Sequence, residues 1–143
     1  MNNVNVNKND SIKLIKSFIQ DLSYENPQTI NENNSVNNNN NNNLDINMNV
    51  MFKPYNNNFF SLNVKYNIDC SSKQNSKKLF NLELDYFGFF KVLNNNNYDQ
   101  KLYTENGIKL LFPFLKEIIE YTTQRGGSVP VSLNEIDFDL KSS

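Results

Sequence analysis

The chain has 143 residues, with 14 basic and 15 acidic side chains and a formal net charge of −1 at pH 7. That length suits one domain with a real core, while scattered cations at near-zero net charge argue against a phosphate-binding surface or a polybasic membrane patch. Histidine is absent and Cys70 is the single cysteine, which removes the usual general base, a thiolate zinc cluster and any internal disulfide.

The N-terminus MNNVNVNKND has no apolar leader core, and no run approaches the roughly 20 apolar residues that cross a bilayer. A cytoplasmic protein without membrane insertion is expected. Asparagine makes up about a fifth of the chain, several-fold above ordinary usage, and with abundant lysine and isoleucine it points to AT-rich coding rather than to chemistry. Residues 1–10 have little to bury and read as a disordered tail, followed by a single domain over 11–143.

From Ser11 to Gln20 the run SIKLIKSFIQ puts Ile12, Leu14 and Phe18 on one parity and Ile15 and Ile19 on the other. A strand partly covered on both faces is preferred to a short helix, because no cap precedes the run and Pro27 holds Asn26 extended. Residues 31–43 end in seven consecutive asparagines and read as a flexible loop.

Three alternating runs come next. Leu44, Ile46, Met48, Val50 and Phe52 form the first, and Phe60, Leu62, Val64, Tyr66 and Ile68 the second, joined by a connection at 54–58 short enough for an antiparallel pair. After the polar loop CSSKQNSKK, Phe80, Leu82, Leu84 and Tyr86 share one face, and Asn81, Glu83 and Asp85 the other. The sheet thus has one apolar and one polar face.

A helix of about three to four turns is expected to begin between Gly107 and Phe112 and to end at Arg125. Pro113 would sit in its first turn, and Gly126 would close it in the left-handed conformation. Its apolar stripe is read as Leu111, Leu115, Ile118 and Thr122, widened by Phe114 and Tyr121, with Thr123 among the polar residues. A weaker helical segment spans about Tyr98 to Glu105. Neither helix is long enough to cover the apolar face, so an oligomer is expected. The tail SVPVSLNEIDFDLKSS carries Pro130 and leaves no room for a substantial final helix.

No chemistry emerges from these elements. Gly126-Gly127 lacks the Lys-Ser of a phosphate loop, and Glu83 and Asp85 lie two apart on a strand face that excludes no water, so an enzyme is not expected, nor any cofactor or metal. Asp21, Glu25, Glu83 and Asp85 read either as solubilising charges or as a docking patch for a basic partner.

Three blocks nevertheless stand in a telling order: IKSFIQDLSYENP, then LELDYFGFFKV, then LLFPFLKEIIEYTTQRGG followed by VPVSLNEIDFD. Together they resemble the bacterial protein-export chaperone SecB family, in its first strand, its acidic strand with a Gly-aromatic turn, and its ILFP-type helix with an Arg-Gly stop. The resemblance implies an α+β fold, a four-stranded antiparallel sheet with helices packed on one face, assembled as a homotetramer that is a dimer of dimers. It implies oligomer-interface roles for Leu82, Leu84 and Tyr86, and docking of the SecA motor through Asp21, Glu25 and Glu83. It further implies ATP-independent binding of unfolded precursor proteins, for which Phe87, Phe89, Phe90 and Phe112 are the candidate groove residues. The family's last helix and acidic tail have no match before Ser143, which leaves open the second SecA contact they make in the family. A SecB-like chaperone dedicated to one client, such as an antitoxin, is the alternative. A purely structural oligomer is a further reading, and a single-strand nucleic-acid binder would need a basic stripe that the sequence lacks.

Overall fold

The computed structural model describes residues 11–28, 42–56, 58–93, 99–128 and 130–133. The expected tail at 1–10 and most of the expected loop at 31–43 lie outside these. Four strands and one helix follow in chain order: β1 (Ile12–Glu25), β2 (Asn42–Tyr55), β3 (Phe59–Ser72), β4 (Lys78–Val92) and α1 (Gln100–Arg125). The strands form one antiparallel sheet in the order β1-β4-β3-β2. β2 already begins at Asn42, inside the segment read as a loop.

Even-numbered residues of β2, β3 and β4 point to one face, as the alternation predicts. The register pairs Phe52 with Leu62, Val64 with Tyr86, and Ile68 with Leu82. β1 keeps no such parity, because register shifts at Ile15 and Gln20 insert one extra residue each. Ile12 and Leu14 face the covered side, Ser17 and Ile19 do so after the first shift, and Leu22 and Tyr24 after the second. The bulge at Ile15 brings Ile19 to the same side as Ile12 and Leu14 despite their opposite parity, while Phe18 lies on the other face beside Phe87.

The helix packs over β1, β4 and β3. It is a single element of 26 residues, about seven turns, so the weak segment and the main helix of the sequence reading are one. Asp99 caps it, its side chain accepting from the Leu102 N–H at 3.3 Å. Pro113 therefore lies mid-helix and not in the first turn. It removes the bond to the Lys109 carbonyl, but both residues are exposed, so water can satisfy that acceptor.

The buried stripe is Ile108, Leu111, Leu115, Ile119 and Thr123, a phase one residue later than expected at its C-terminal end. Thr123 is fully buried: its hydroxyl donates to the Ile119 carbonyl at 2.8 Å and accepts from the Val131 N–H at 2.9 Å. Phe114 and Tyr121 lie outside the stripe, at 41% and 58% exposure. Burying the four aliphatic side chains stabilises the docked helix by about 1.5–3 kcal/mol each.

An aromatic stack anchors the interface between helix and sheet. Phe60 lies 5.0 Å from Phe90, 5.1 Å from Phe52 and 5.6 Å from Tyr103, all near parallel. Gly107 lets the helix approach this stack, since a Cβ there would fall 2.5 Å from Leu62 Cδ1 and 3.3 Å from Phe90 Cζ. Gly107→Val is expected to lower stability by about 2–3 kcal/mol, because both neighbours are fully packed. Urea unfolding checks this, with a lower midpoint at unchanged slope as the expected result.

Candidate binding surface

Among the described residues no element covers the face of the sheet opposite α1, and the register resolves this open face into six rows running from β1 through β4 and β3 to β2. Three carry mainly carboxylates and amides: Asp21-Asp85-Lys65-Asn49, Ser23-Glu83-Asn67-Asn47 and Glu25-Asn81-Asp69-Asp45. The other three are Phe18-Phe87-Asn63-Met51, Lys16-Phe89-Ser61-Lys53 and Lys13-Lys91-Phe59-Tyr55. One half therefore holds six carboxylates and a single lysine, the other four lysines and no carboxylate.

In the acidic half a shallow depression of about 360 Å³ is lined by Asp21, Glu83, Asp85, Lys65 and the amides of Asn47 and Asn67. Asp85 is engaged there, accepting from Asn63 at 3.0 Å and standing 3.9 Å from Lys65 Nζ. Asp69 accepts from Asn81 at 2.7 Å. Asp21, Glu25 and Glu83 make no ion pair or hydrogen bond among the described residues. The three acids named from the sequence thus share one face, with Asp21 and Glu83 in one depression and Glu25 at the end of β1.

The other candidates scatter. Leu82, Leu84 and Tyr86 are 0%, 2% and 5% exposed within the single chain, so they belong to its own core and leave no area for a partner. The expected interface assignment fails because the helix and neighbouring strands already cover that face. Nor do the four phenylalanines form one groove. Phe87 and Phe89 stand on the open face, Phe90 is sealed in the stack with Phe60, and Phe112 is half-buried on α1.

Sequence reasoning missed Phe18, Phe59 and Tyr55, which join Phe87 and Phe89 on the open face. Phe18 lies 4.9 Å from Phe87, while Phe59 stacks on Phe89 at 5.5 Å and Tyr55 meets Phe89 edge-on at 5.6 Å. The signal was present: continuing the alternation past Phe52 and back from Phe60 puts Tyr55 and Phe59 on the supposedly polar parity.

Two of the three sequence blocks meet at the end of the helix. The Tyr24 hydroxyl and the Asn26 amide, at 3.4 and 2.7 Å, both donate to the Gly126 carbonyl. A side chain at Gly126 would run into the Tyr24 ring. Gly126 keeps φ −74°, and the left-handed turn falls on Gly127 at φ 84°, so the Arg-Gly stop is needed for contact rather than for conformation. Burial pushes the Tyr24 hydroxyl above its ordinary pKa, against a hydrogen bond with Ser128 that lowers it.

No cluster of potential metal ligands occurs among the described residues, and no helix there is long and apolar enough to cross a membrane. The described residues form a single sheet with one face spent on its own helix and the other patterned in charge and aromatic rings. Comparison with known proteins agrees. The family model described as preprotein translocase subunit SecB matches residues 5–140, and the chain belongs to the SecB family of non-enzymatic protein-export chaperones.

It is 30% identical over 122 residues to the protein-export protein SecB of Orientia tsutsugamushi strain Boryong, covering 85% of this chain and 74% of that one. It is 32% identical over 141 residues to that of Mesorhizobium japonicum, covering 95% and 80%. Among solved structures, a Mycobacterium tuberculosis SecB-like chaperone in complex with an antitoxin peptide shares the fold, with TM-score 0.68 at 10% identity over 87% of this chain and 90% of that one.

Cys70 is buried, and desolvation raises its thiol pKa. Its reaction with Ellman's reagent at neutral pH is expected to be at least about a hundredfold slower in the folded protein than in urea. Equal rates would place the thiol at the surface.

Proposed function

We propose that this chain is an ATP-independent export chaperone of the cytoplasm, which holds non-native precursors in a translocation-competent state and delivers them to the SecA motor. The observation that carries the reading is the set of unpaired carboxylates Asp21, Glu25 and Glu83 on one open face. No described residue pairs with them, so their Coulomb attraction is available to a basic partner surface. Client binding needs no nucleotide. Each apolar anchor would contribute about 1.5–3 kcal/mol, offset by about 1–2 kcal/mol per residue ordered, so single contacts are weak and affinity comes from many contacts along one chain.

Assembly as a homotetramer, a dimer of dimers, fits the strip left exposed beside the covered face. Leu110, Phe114 and Tyr121 of α1 lie outward, and Ile19 and Leu22 of β1 are incompletely covered. That strip, rather than Leu82, Leu84 and Tyr86, offers the apolar area an interface requires. Phe114→Asp combined with Tyr121→Asp is expected to convert the assembly to a smaller species in light scattering coupled to size exclusion. A wild type that is monomeric at low micromolar concentration would remove the oligomer from the proposal.

Calorimetry with purified SecA tests the docking patch. Replacing Asp21, Glu25 and Glu83 together by alanine is expected to weaken binding by about threefold to a hundredfold, given about 0.2–1 kcal/mol per exposed charge. Rising salt is expected to weaken the wild type as well. If the wild type does not bind SecA, the export role falls, and a chaperone dedicated to one client such as an antitoxin becomes the reading to pursue.

A further inference from the structure

The basic half of the open face has a chemistry of its own. Its cations and rings are organised together: Lys16 Nζ lies 5.4 Å from the centre of the Phe18 ring on β1, and Lys53 Nζ lies 5.1 Å from that of Tyr55 on β2. Between these two edges Phe87, Phe89 and Phe59 fill the middle strands. The result is an aromatic band crossing all four strands, a width of roughly 14 Å at ordinary strand spacing, which matches four to five residues of extended peptide.

We infer that this band binds extended segments of non-native chains in which aromatic or aliphatic side chains alternate with, or are flanked by, carboxylates. The inference rests on the chaperone reading and names the client chemistry that this face selects. Apolar anchors would settle against the ring edges, while Lys13, Lys16, Lys53 and Lys91 meet the flanking carboxylates with no acid of this half to compete. Selection would come equally from exclusion: a segment flanked by lysines meets four like charges here. The band ends one row from Asp21 and Asp85, about 7 Å along the strands, so a client segment leaves the acidic rows open to a basic partner.

Cations and rings together are also the chemistry that holds a single-stranded nucleic acid, and two observations favour peptide. Base stacking needs free ring faces, whereas Phe59 and Phe89 stack on each other at an interplanar angle of 3°, and lysine ammoniums cover Phe18 and Tyr55. A phosphodiester chain continuing along the face would also run onto six carboxylates.

The test uses full-length protein and fluorescence anisotropy with three labelled probes. These are a roughly nine-residue peptide alternating glutamate with phenylalanine and leucine, its counterpart with lysine for every glutamate, and an oligothymidylate of similar length. The wild type is expected to bind the glutamate peptide about tenfold or more tightly than either other probe. Lys16→Glu with Lys53→Glu is expected to reverse the peptide preference, and Lys16→Gln with Lys53→Gln to abolish it; both positions are exposed edge-strand sites, and circular dichroism verifies the fold. Equal affinity for the two peptides, tighter binding of the oligothymidylate, or an unchanged preference in both variants would overturn the inference. Suppression of aggregation of a slow-folding client, measured alongside, separates the two levels. If the wild type holds the client yet shows no peptide preference, this inference alone falls; if it binds neither client nor peptide, the chaperone reading falls with it.

Discussion

A pleated strand must show half its side chains to each side, and among the described residues one helix is available to cover them. Strands of 14 and 15 residues make two faces of equal size, and α1 lies over only one. Everything else in the molecule answers that constraint. The covered face concentrates the aromatic stack around Phe60 and the aliphatic stripe of α1. The open face, which cannot be apolar throughout and remain in water, distributes its carboxylates and its lysine-edged rings into separate halves.

That division separates structural from functional residues more cleanly than sequence proximity does. Leu84 and Asp85 are neighbours in β4, yet one is sealed in the core and the other lines the acidic depression. Phe89 and Phe90 are likewise adjacent, and only Phe89 can meet anything outside the chain. The block LELDYFGFFKV is therefore two interleaved messages, read on alternate residues. A substitution there falls in the core or on the open face according to its parity, whatever its chemistry.

How much could be read in advance follows the same logic. From Leu44 to Phe52, Phe60 to Cys70 and Phe80 to Val92 the period of two is unbroken, so Phe60, Leu62, Val64, Leu82 and Leu84 were assignable to the core from spacing alone. In β1 it was not, because a bulge is a property of the pairing between strands and leaves no mark on one of them. The phase of α1 was ambiguous for a local reason: Ile118 and Ile119 are both apolar, and only the sheet beneath decides which turns inward. Thr123 was misjudged because a hydroxyl that bonds to the Ile119 carbonyl and the Val131 N–H is cheap to bury, and neither partner is visible in a hydropathy pattern. The acids at 21, 25 and 83 were found through resemblance, whereas their gathering on one face depended on strands far apart in sequence.

The two bulges in β1 have a consequence for the fate of the chain when it is crowded. Ile15, Phe18, Ile19 and Leu22 make this edge an inviting template for amyloid-like growth. Yet the shifts at Ile15 and Gln20 divide its ladder into runs of three, four and five residues: 12–14, 16–19 and 21–25. A self-templating zipper needs about six or seven residues in unbroken register, and no such run exists in the ladder of this strand. The irregularity that hid β1 from its own alternation denies this sticky border the unbroken register from which fibres nucleate.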